Sequence, residues 1–201
     1  MAYGNFTLAQ LKKTFGLSLK EVPGLFSALP DVEGSQGLVD TLAEGINLSV
    51  AIGTEKARSE MIITPILMEL RRIFKREISL FSGVDFTVSP EQGLNGVCDY
   101  LISRSKEQLL IQSPVIMLVE AKNENLKVGL PQCIAEMIAA QQFNEQEGNE
   151  IETIYGVVTI GTMWQFLRLK GQIVEIDLVQ YPIEKNLPQI LGILSGAVVG
   201  K

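Results

Sequence analysis

The sequence predicts an α/β fold, a mixed β-sheet core flanked by α-helices. Three observations carry this. A long amphipathic helical pattern ends where the period changes; two groups of three short strand-like runs follow, with a helical segment between them; and 201 residues with 46% hydrophobic and 20% charged side chains are enough for one sizeable packed core.

Taken in order, residues 1–50 read as an N-terminal helical appendage and residues 51–201 as the main domain. Leu8, Leu11 and Phe15 recur at helical spacing, Pro23, Gly24, Pro30 and Gly34 break the chain, and a second helical piece is expected over residues 37–44. Over residues 55–74 one stripe contains Ile62, Ile63, Ile66, Leu67, Leu70, Ile73 and Phe74, which marks a long amphipathic helix. Pro65 sits inside it and should bend it, since a proline has no N–H for the helical ladder. The helix ends in Arg71, Arg72, Lys75 and Arg76, either a solvated face suited to the negative end of the helix dipole or a contact for phosphate.

Residues 81–88, 96–103 and 114–121 are rich in Val, Ile, Phe and Tyr and are separated by polar turns, so they read as strands, the last two as an antiparallel hairpin. A helix is expected over residues 130–143, with Pro131 in its first turn, where a missing N–H is harmless. An acidic solvated loop follows over 144–152, then strands over 154–160, 163–170 and 173–181, and a closing helix over 187–198.

Composition excludes several chemistries. The chain has no histidine, which removes Ser-His-Asp triads, Cys-His pairs and His-based zinc sites. Cys98 and Cys133 fall in apolar patterns and read as reduced core thiols. Catalysis would have to run on carboxylates, lysine, tyrosine or an oxygen-ligated metal. No stretch reads as a signal peptide or membrane span, so a soluble cytoplasmic protein without a membrane partner is expected. A net charge of −6 opposes non-specific binding of nucleic acid, which a local basic patch or a bound cation would have to offset.

The informative residues are Asp99, on one arm of the expected hairpin, and Glu120-Ala121-Lys122 on the other. Side chains alternate along a strand, so Glu120 and Lys122 share one side while Ala121 takes the other. Pairing of the arms lets Asp99 lie beside Glu120. Two carboxylates suit a hard divalent cation such as Mg²⁺ (or Mn²⁺), and the ammonium suits developing phosphate charge.

Asp99 with Glu120-x-Lys122 resembles the signature of the PD-(D/E)XK nuclease superfamily, an Asp ending one strand and an Asp/Glu-x-Lys on the next. Cys98 stands where a proline often precedes the Asp. The resemblance spans roughly residues 55–169. The runs Gly156-Val157-Val158-Thr159 and Trp164-Gln165-Phe166 look like the strand pair after the motif in type I restriction-subunit N-terminal nuclease domains. The resemblance implies a restriction-endonuclease-like fold and a DNA nuclease with Asp99, Glu120, Lys122 and Gln132 catalytic and Mg²⁺ held by Glu60, Asp99 and Glu120. Glu60 is preferred over Glu55 as the helix carboxylate because it extends the Ile63 and Leu67 stripe. Gln132 and Glu136 share a helix face, with Glu136 expected to matter less because it lies farther from the strand end. A non-catalytic binding or assembly module of the same fold is the alternative, and pairing into a homodimer is possible on either reading.

Overall fold

In the computed structural model, residues 2–149 and 151–200 are described. The helices are α1 (Leu8–Phe15), α2 (Gln36–Ile52), α3 (Glu55–Arg58), α4 (Thr64–Ile73), α5 (Leu126–Gln146) and α6 (Ile183–Val199). The strands are β1 (Ser18–Val22), β2 (Ser79–Asp85), β3 (Val97–Ser103), β4 (Val115–Ala121), β5 (Ile154–Thr159), β6 (Met163–Lys170), β7 (Ile173–Asp177) and β8 (Tyr181–Pro182). They form one sheet in the order β1-β7-β6-β5-β4-β3-β2, with β8 also against β6. It is mixed: β4 and β5 are parallel, joined by the α5 crossover, and β1 lies parallel to β7, while the other pairs are antiparallel.

Alternation along the strands feeds two cores. Tyr100, Val119, Ala121, Val157 and Phe166 pack with Leu38, Ile63, Leu67 and Leu194 on the α2, α4 and α6 face. Leu101, Leu118, Val158 and Leu167 pack with Leu11, Cys133, Ile134 and Met137 on the α1 and α5 face. Cys98 and Cys133 are buried free thiols in this second core.

Residues 1–50, expected as a helical appendage, contribute β1 to the sheet and Leu11, Phe26, Leu38 and Leu42 to the two cores. The expected helix over residues 37–44 extends through Gln36–Ile52, started by the Ser35 side chain accepting from Leu38 N–H. α5 likewise begins earlier than expected, at Leu126, because Asn125 caps it, so Pro131 lies inside the helix rather than in its first turn.

The chain accommodates Pro65 with a π turn over Ser59–Ile63, between α3 and α4. Wider spacing of the ladder carries it past the missing donor. The Met61 carbonyl in this turn approaches α2 so closely that a Cβ on Gly45 would stand 2.5 Å from its oxygen. Gly45→Ala is therefore expected to destabilise by about 1–3 kcal/mol, as overpacking does, which lowers Tm by roughly 2–4 °C per kcal/mol in a chain of this size. An unchanged melting curve would show that α2 can slide away at no cost.

Candidate active site

The hairpin of β3 and β4 sets Tyr100 opposite Val119 and Leu101 opposite Leu118. The next step of this register brings Asp99 beside Glu120, and Asp99 Oδ2 accepts a hydrogen bond from Ala121 N–H at 2.8 Å. Alternation turns Val119 and Ala121 into the α4 and α6 core and leaves Glu120 on the α5 side. Lys122 extends the strand, its N–H donating to the Thr159 carbonyl of β5 at 2.8 Å. Its ammonium consequently shares the side of Glu120 and donates to Glu120 Oε1.

α5 closes the site from above. Lys122 Nζ also donates to Gln132 Oε1 at 3.4 Å, and Gln132 Nε2 donates to Glu136 Oε1 at 3.1 Å. The helix comes this near because of Gly129, where a Cβ would lie 2.6 Å from Val158 Cγ1 and 3.1 Å from Lys122 Cγ. Asp99, Glu120, Lys122 and Gln132 are thus brought together by a hairpin, a crossover and one glycine.

Glu60 is not part of this group. It is exposed and ion-paired with Lys56 at 3.7 Å. Glu55 lies nearer: it lines both a cleft of ≈ 390 Å³ beside Lys122 and Asn123 and one of ≈ 340 Å³ beside Asp99 and Tyr100, whereas Glu60 lines only the second of these. The π turn explains the difference. An extra residue per turn rotates the preceding helix by about 100°, so a face counted back from Ile63 and Leu67 at ordinary spacing goes out of register.

Glu136, on the same face of α5 as Gln132, is fully buried. The signal was present, since Cys133, Ile134, Ala135, Met137, Ile138 and Ala139 make this part of α5 apolar on every side, and a helix apolar all round lies inside the protein.

Burial, and then the charge of Asp99, push the Glu120 carboxyl up to about 8, against the pull of Lys122. Burial and the neighbouring Glu120 raise Glu136 well above the carboxylate range. For Lys122, burial alone would weaken its hold on a proton, but Glu120, then Glu55 and Asp99, keep the ammonium above its ordinary value. Glu120 and Glu136 oppose each other's ionisation across this buried space.

Three buried oxygens here accept no hydrogen bond: Glu120 Oε2, Asn123 Oδ1 and Glu136 Oε2. Asn123 Oδ1 can only accept, whereas each glutamate oxygen is satisfied either by a proton on its raised carboxyl or, when ionised, by a donor or cation. Among the described residues no three Asp, Glu, Cys or His side chains are grouped so as to hold a metal by themselves. Asp99 and Glu120 form a two-carboxylate donor set, which fits a cation such as Mg²⁺ that keeps several waters and binds through one or two carboxylates plus substrate oxygens.

The sequence matches no protein-family model, and comparison with curated proteins likewise finds no match. No helix among the described residues is long and apolar enough to cross a membrane.

Proposed function

We propose that this chain is a nuclease of the PD-(D/E)XK type that uses Mg²⁺ or Mn²⁺ to hydrolyse phosphodiester bonds in DNA. The observation that carries this reading is the convergence of Asp99, Glu120 and Lys122 at the ends of two paired strands. Asp99 and Glu120 would hold the cation, and the orphaned Glu120 Oε2 supports a positive partner there. When bound, the cation supplies charge to polarise the phosphate and acidify a water. Lys122 presents its ammonium to the charge that develops on the phosphate, and its bonds to Glu120 and Gln132 hold it in place beforehand. Gln132 acts on the reaction through Lys122. We further propose a cytoplasmic setting and pairing of two copies, the latter supported by exposed Leu48 and Ile52, which share one face of α2.

Incubation with plasmid and single-stranded DNA tests the reading: the wild type should cleave with Mg²⁺ or Mn²⁺ and stop with chelator. In the same buffers millimolar Mn²⁺ should raise the melting temperature of the wild type and not of Asp99→Ala. Saturation a hundredfold above Kd would give about 2.7 kcal/mol. Equal thermal shifts together with no cleavage would leave a non-catalytic module.

A further inference from the structure

We propose that Glu136 is a positioning residue, whose buried carboxyl fixes the amide of Gln132 so that its oxygen faces Lys122. The two ends of a glutamine amide are nearly the same size, so its orientation is decided by the groups at each end. Here Nε2 donates to Glu136 Oε1 at 3.1 Å and Oε1 accepts from Lys122 Nζ at 3.4 Å. A reversed amide would set its NH₂ group against the ammonium, donor facing donor, and would give up the bond from Nε2 to Glu136 Oε1. An ammonium has three N–H donors; Glu120 takes one and Gln132 a second. Glu136 thereby bears at two removes on how Lys122 holds its ammonium, and Lys122 lines a cleft with Glu55 and Asn123.

A second observation separates this role from packing. Glu136 is fully buried between Ala135 and Met137, with Oε2 bonded to nothing. An orphaned buried carboxyl oxygen weakens a core, and an unbranched apolar side chain of the same length would pack there without that penalty. A carboxyl in this place serves the hydrogen bond it makes.

The experiment compares Glu136→Met, Glu136→Leu and Glu136→Gln by melting temperature, by cleavage kinetics, and by the side-chain NH₂ resonances of Gln132, assigned through their loss in Gln132→Ala. The apolar variants should melt no lower than wild type. Their Gln132 NH₂ signals should lose protection from exchange, and kcat should fall about ten- to a hundredfold, the range for a lost hydrogen bond to a charged group, with KM little changed. Glu136→Gln, which keeps an acceptor, should recover both the protected amide and the rate. A lower melting temperature in both apolar variants, or an amide that stays protected in them, would overturn the proposal. Its kinetic arm rests on the nuclease reading, whereas the amide signals do not. A wild type that cleaves nothing therefore rejects that reading alone, and the resonances still decide the role of Glu136.

Discussion

Lys122→Ala is expected to lose most cleavage activity while keeping the wild-type fold. The ammonium is held by Glu120 Oε1 and Gln132 Oε1 before any substrate arrives, and removal of such a preorganised donor lowers turnover by about 10²–10³-fold. The stability side needs separate treatment, because breaking a buried ion pair usually leaves an uncompensated charge. Glu120 escapes this penalty near neutral pH: burial and Asp99 already push its carboxyl up to about 8, so it can take a proton when its partner is gone. Circular dichroism and melting at pH 7 should show a native-like protein, and the assay should show a nearly inactive one. Wild-type turnover in the variant would remove Lys122 from the chemistry.

The pair of strands carrying this site was legible because alternation is a strict rule. Once β4 was read as a strand, Glu120 and Lys122 had to share a face, and the hairpin had to bring Asp99 near them. Where the sequence misled, a polar residue was doing backbone or core work that composition cannot distinguish from solvation. Residues 144–152 read as an acidic loop, yet α5 runs to Gln146, and Asn144 is buried, accepting from Val115 N–H and donating to Val115 carbonyl, both at 2.7 Å. It ties the end of the crossover helix to the start of the site strand. β1 was missed because its Leu19, Glu21 and neighbours at the sheet edge alternate only weakly between half-buried and exposed. The choice between Glu55 and Glu60 was not legible because a π turn cannot be read from a 3.6-residue count, and both line the cleft beside Asp99.

Glu120→Gln is expected to remove a large pH dependence of stability, measured by urea unfolding in a chelating buffer. The ordinary carboxyl value is 4.5, and in the folded protein Glu120 is pushed up to about 8. Between these values the native state keeps a proton that the unfolded state releases, so stability falls as pH rises through this window. Below it Glu120 imposes no penalty, and above pH 8 the penalty is complete and constant. Each unit amounts to at most ~1.4 kcal/mol, so the wild type should lose a few kcal/mol between pH 5 and 8. That is a large share of a typical total of about 5–15 kcal/mol. Glu136 is raised by burial and by Glu120 itself, so the substitution also relieves Glu136, and the difference between the two proteins reports the titration of the pair. A cation shared by Asp99 and Glu120 competes with this proton, which couples the two experiments. Mg²⁺ should stabilise the wild type more at pH 8 than at pH 5, and its binding should release protons. The Gln variant should show neither effect. Parallel pH profiles for the two proteins would mean that Glu120 binds protons alike in the folded and unfolded states, and the proposed competition between its proton and a cation would fail with it.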